Sequence, residues 1–166
     1  MKYSLFAVSA FILFIVAPPD FAEDSRPVGG SEPAATGQYV AGLGQIMAET
    51  QMRHAKLWFA GNAGNWGLAG YELGEIEEGF ESVTKFHPVL NSIPIASLLD
   101  GITRKPLSRV RGAIESKDSQ QFNDAFIELT DACNSCHTAA NRKFIVITTP
   151  SASPVSNQRY NIDAPG

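Results

Sequence analysis

The chain has 166 residues, 44% of them hydrophobic and 18% charged, which suits one globular domain and excludes wholesale disorder. Thirteen Lys and Arg against 17 Asp and Glu leave a net charge of −4, which excludes a nucleic-acid binder working through a basic surface. Its two cysteines exclude a multi-disulfide scaffold.

Met1 and Lys2 give a positive start, and residues 5–17, LFAVSAFILFIVA, carry no charge. At about 1.5 Å per residue this run reaches roughly 20 Å, short of a hydrocarbon core of about 30 Å. Pro18 and Pro19 then break it. The layout is that of a secretory signal peptide, assigned to residues 1–22, with Ala22 as the last residue removed and Ala17 as the other candidate. The alternative is an uncleaved N-terminal anchor. With the signal removed, no membrane span is expected. Export places the protein in a bacterial periplasm, where free thiols do not persist, so both cysteines need a partner.

Residues 23–37, rich in Pro, Gly and small polar side chains, read as a flexible linker. The spacing then predicts a first helix over 38–60, with Val40, Leu43, Met47, Thr50, His54 and Leu57 on one face. Residues 61–65 form a turn, and Asn62 or Asn65 can cap the next helix. In that helix Trp66, Ala69, Leu73, Ile76, Phe80 and Val83 make a bundle seam. Glu72, Glu75, Glu77, Glu78 and Glu81 are read as a solvated surface, the alternative being a docking patch for a basic redox partner. His87-Pro88 ends the helix, and His87 is expected in a surface loop. A third helical region covers 94–116, with Leu98, Ile102, Leu107, Val110 and Ile114 inward and Pro106 imposing a kink or a division into two helices. Asp118 or Ser119 caps a fourth helix whose stripe is Phe122, Phe126, Leu129, Cys133, Cys136 and Ala140. Residues 144–148 are the one stretch that suggests a strand, and residues 146–166 read as an extended tail. The expected fold is therefore all-α, an antiparallel four-helix bundle over residues 38–145.

Residues 133–137 read Cys-Asn-Ser-Cys-His. Cys-x-x-Cys-His is the attachment sequence of c-type haem. On a helix, positions i and i+3 share a face, so the Cys133 and Cys136 sulfurs can reach both vinyl groups of one porphyrin while His137 sets an imidazole nitrogen under the iron. The alternatives are a thiol–disulfide centre, whose Cys-x-x-Cys normally opens a helix in a βαβ setting, and a plain disulfide staple. Zinc would need further ligands.

With a signal peptide, four helices and one such motif near the C-terminus, the chain resembles the class II c-type cytochromes, the cytochrome c′ group, over residues 38–145. The resemblance implies a left-handed four-helix bundle, often a homodimer, with one covalent haem c and His137 as proximal iron ligand. It also implies a sixth iron position that is either open or filled by a methionine of the first helix. The family's Tyr-Arg pair after the motif is replaced here by Thr138-Ala139-Ala140-Asn141-Arg142, which sets Arg142 one residue late. On the first helix the family places an arginine and a following polar residue near the haem propionates, with an apolar distal residue one turn later. Arg53, His54 and Leu57 match that spacing, so the resemblance sets Arg53 and His54 at the haem edge and Leu57 on the distal side.

Met47 and His54 are the candidate distal iron ligands. They lie about 10.5 Å apart along the helix axis, so one at most can face the iron, and His54 is preferred as nearer the Leu57 level. Met52 projects outward. The expected function is periplasmic electron transfer with redox partner proteins. The alternatives are a haem protein that binds NO or CO through an open distal site, and a thiol–disulfide protein using the same cysteines. No hydrolase triad, phosphate loop or catalytic carboxylate pair is visible, so no enzyme is expected.

Overall fold

The computed structural model describes residues 39–162. The assigned signal peptide and linker lie outside the described residues.

Four helices carry the fold: α1 (Leu43–Asn62), α2 (Trp66–Phe86), α3 (Ile95–Ser116) and α4 (Ser119–Ala139). No strand occurs among the described residues, and the expected 144–148 segment is irregular. Each helix packs on its neighbours in sequence, and α4 also meets α1, an arrangement compatible with a four-helix bundle. No helix among the described residues is long and apolar enough to cross a membrane.

Local chemistry sets the helix ends. Val40 and Ala41 precede α1 rather than beginning it, and the first turn opens at Gly42. Between α1 and α2 the chain turns on Gly64, whose φ of 69° suits a residue without Cβ. Asn65 Oδ1 then accepts the Leu68 N–H at 3.1 Å, and Asp118 Oδ1 accepts the Gln121 N–H at 2.9 Å, so both expected caps form. Lys117 takes the left-handed conformation that ends α3.

The inward faces of α2 and α4 follow the predicted seams: Leu73 and Val83 on α2, and Phe122, Phe126 and Leu129 on α4, are almost wholly buried. Each such side chain contributes roughly 1.5–3 kcal/mol of burial free energy. The far end of the core is aromatic. Phe122 stands 6.0 Å from both Trp66 and Phe126, and Trp58 lies 4.8 Å from Phe126.

Four expectations need correction. α3 runs unbroken through Pro106, and its first turns face inward through Ile95, Leu99 and Thr103 rather than Leu98 and Ile102, which are only partly buried. Thr103 can be buried because its hydroxyl donates to the Leu99 carbonyl at 2.7 Å. Glu72 is not a solvated residue. It is fully buried and accepts ion pairs from Arg53, at 3.3 Å, and from Lys56. Finally, the segment after α4 folds back on the helices instead of trailing away. Ile147 is buried, the Tyr160 carbonyl accepts Asn65 Nδ2–H at 3.0 Å, and the Tyr160 ring lies 5.4 Å from Phe59.

Candidate functional site

A cavity of about 400 Å³ opens at the end of the molecule where α1 and α3 begin and α2 and α4 finish. A smaller lobe of about 50 Å³ extends from it between α1 and α4. Met47, Gln51, Leu99, Cys136, His137 and Ile147 line both lobes, so the two form one site. The larger lobe falls within the roughly 300–1,000 Å³ of small-molecule and cofactor sites, and its walls are mainly apolar.

Cys133 and Cys136 sit one turn apart in the last turns of α4 and both reach this cavity. Burial pushes the Cys133 thiol up to about 12, with the neighbouring Cys136 as a lesser cause, and burial raises Cys136 as well. Such thiols are poor nucleophiles near neutral pH. They also lie at the negative end of a helix dipole, where a thiolate is disfavoured. The arrangement is the reverse of a thiol–disulfide active site.

His137 follows on the same helix and lines both lobes. Its Nδ1 lies 3.1 Å from the Ile145 carbonyl oxygen. A carbonyl only accepts, so Nδ1 carries a proton, and in the neutral ring the lone pair is then on Nε2.

His54 closes the small lobe from α1 and is buried, with its ring 4.4 Å from Phe126. Its Nε2 lies 2.9 Å from Thr130 Oγ1. The Thr130 hydroxyl donates its single proton to the Phe126 carbonyl at 2.9 Å, so His54 Nε2 must be the donor in the first contact. That bond leaves the ring's lone pair on Nδ1.

Burial pushes the His54 imidazole down from 6.5 to about 4. Between those values the unfolded chain holds a proton that the folded chain does not, so stability rises with pH across the window and is lost as pH falls through it. The loss should approach about 3 kcal/mol by pH 4. Urea unfolding at pH 7 and near pH 4.5 checks this: His54→Gln should flatten the acid limb, and an unchanged slope would show that another group carries it.

Met47 borders both lobes, whereas Arg53 and Leu57 border neither. Arg53 turns to α2, pairing with Glu75 at 2.9 Å and Glu72 at 3.3 Å and lying over the Tyr71 ring. Leu57 is fully buried in the core. Trp66, Leu73 and Phe126 likewise pack in the core and not on the cavity wall. Of the α2 carboxylates, Glu72, Glu75 and Glu77 are engaged within the molecule, Glu77 by Arg111, while Glu78 and Glu81 are exposed. His87 is half-buried and binds the Ala41 carbonyl through Nε2 at 2.7 Å, tying the α2–α3 loop to the chain before α1.

Sequence reasoning missed Gln51, Leu99, Arg142 and Ile147 as wall residues. Of these only Arg142, close after the motif, carried a signal. Among the described residues no group of three His, Cys, Asp or Glu side chains gathers in a metal-binding arrangement. Comparison with protein-family models, with curated proteins and with solved structures finds no match.

Proposed function

We propose that the chain is an exported monohaem c-type cytochrome that transfers single electrons between partner proteins of the periplasm. The supporting observation is the His137 Nδ1–H bond to the Ile145 carbonyl, on the wall of the cavity that both cysteines line. Metal-binding imidazoles characteristically give their other N–H to a carbonyl or carboxylate, which orients the ring and raises the basicity of the free nitrogen. The donor set fits haem c. Cys133 and Cys136 would hold it by thioether bonds, each thiol S–H adding across one vinyl group, and His137 Nε2 would bind its iron. Bound there, the group supplies one-electron chemistry whose potential depends on the axial ligands.

The chain's own residues would do the rest. Leu99, Val83 and Ile147 exclude water from the cavity, and Arg142, the only lysine or arginine on the wall of the larger lobe, can pair with a carboxylate. As a further ligand to the iron, Met47 is favoured over His54, because Met47 borders both lobes while His54 borders only the smaller one, with its Nε2 bonded to Thr130.

The test is spectroscopic. Mature protein should keep its haem colour through acid–acetone extraction and exceed the chain mass by one haem, and Cys133→Ala or Cys136→Ala should lose the covalent link. With Met47 bound, the oxidised form should show a weak sulfur-to-iron band in the far red that Met47→Ala removes. A high-spin wild-type protein that takes up CO would favour the gas-binding alternative. Free thiols, or a Cys133–Cys136 disulfide without haem, would overturn the proposal.

A further inference from the structure

Resting on that reading of the site, we infer that Asn134, a spacer residue within the Cys133–His137 motif, is a positioning residue for His137. The Asn134 amide engages one residue at both ends: Oδ1 accepts the Ile147 N–H at 2.8 Å, and Nδ2 donates to the Ile147 carbonyl at 2.8 Å. A planar amide bonded in this way satisfies both backbone groups of Ile147 and fixes its orientation as well as its place.

Two residues earlier in the same segment, the Ile145 carbonyl accepts the His137 Nδ1–H. The segment is tied at its other end too, because the Arg142 N–H donates to the His137 carbonyl at 2.7 Å and the Ile145 N–H to the Arg142 carbonyl at 2.8 Å. Between these ties Phe144 and Val146 face solvent, 75% and 68% exposed, so apolar burial does little to hold the backbone there. Polar contacts hold it there, together with the buried Ile147 side chain at its end. Asn134 and His137 stand three residues apart on α4, so clamp and imidazole ride on one rigid element. The Ile145 carbonyl is thus held against the ring by the helix that carries the ring. A firm Nδ1–H bond makes the imidazole a stronger electron donor and so favours oxidised iron.

The experiment uses the haem-loaded full chain with Asn134→Ala, Asn134→Leu and, as a control on the same segment, Phe144→Ser. In Asn134→Ala the Ile147 amide should exchange with solvent about tenfold faster, and the midpoint potential should rise. Asn134→Leu keeps the size and the neutrality of the side chain and loses both bonds to Ile147, so its shift should have the same sign. Phe144→Ser should leave the potential where it is. If Asn134→Ala does not mature, the Asn134→Leu shift relative to Phe144→Ser decides. Haem-loaded Asn134 variants with unchanged potential and unchanged Ile147 exchange overturn this inference alone. A wild-type chain that matures without haem overturns the functional reading beneath it, a separate result.

Discussion

Glu72→Ala should destabilise the protein by about 3 kcal/mol, a fall in melting temperature on the order of 10 °C. Glu72 is the one carboxylate wholly buried among the described residues, and it faces Arg53 and Lys56, whose side chains are 19% and 14% exposed. Removing it leaves two cations largely out of water with their principal counter-charge gone, a larger loss than any attraction it supplied. The cost falls at the lower end for buried pairs because Arg53 also reaches Glu75 and Glu49. Thermal and urea unfolding of Glu72→Ala and of Arg53→Met/Lys56→Met/Glu72→Met separate the terms. The triple variant should recover much of the loss, since apolar groups of similar length need no counter-charge. A fall below about 0.5 kcal/mol in Glu72→Ala, the range of ordinary surface changes, would show that water reaches this carboxylate.

Gly61→Ala should cost about 2 kcal/mol, although alanine is the better helix former by about 1 kcal/mol. A Cβ at Gly61 would lie 2.2 Å from Phe122 Cε1 and Cζ. Phe122 is fully buried, between Trp66 and Phe126, and has no free space to swing into. Gly70 and Gly44 provide the opposite sign within the same fold. A Cβ at Gly70 meets nothing nearer than Ile114 Cγ2 at 3.9 Å, and one at Gly44 meets nothing within 4 Å. Alanine at either should therefore stabilise by about 0.5–1 kcal/mol. Pairing Gly61→Ala with Phe122→Leu should cost less than the sum of the two single changes. Equal melting temperatures for Gly61→Ala and the wild type would mean that α1 and α4 are not in contact there.

How much of this was legible in the sequence differs by helix. Apolar spacing alone marked α2 and α4, because nearly every inward position on them is an apolar side chain. On α3 the inward stripe contains Thr103, a polar residue whose burial depends on a bond within its own helix, so the apolar pattern pointed one residue aside. Glu72 was misread because carboxylates are rarely buried, and the cations that permit it stand on another helix. The refolded tail left no periodic mark, since it is held by single contacts of Ile147 and Tyr160 with Asn134 and Asn65. At the site, motif spacing placed Cys133, Cys136 and His137 on one wall, as the cavity has them. Spacing on α1 favoured His54 over Met47, and it carried no sign of the His54–Thr130 bond, whose partner stands far along the chain.

The seam between α1 and α4 also bears on the order in which the molecule assembles. The turns of the α1–α2 and α3–α4 hairpins are only a few residues long, whereas the His54–Thr130 bond joins positions 76 residues apart. Closing a long loop costs more chain entropy than closing a short one, so sequence-local hairpins precede distant pairings. The α1–α4 wall is then the last to rise, and the two thiols stand on it. Until it closes, Cys136 is open to anything in the surrounding solution; afterwards it lies sheltered behind Ile147 and Met47. A macromolecule that must reach the Cys136 sulfur would meet it most readily before closure. If the thiols take up a covalent group as proposed, the yield of modified protein would be set by a race between that encounter and the folding of the chain, and slowing closure of the seam should raise it.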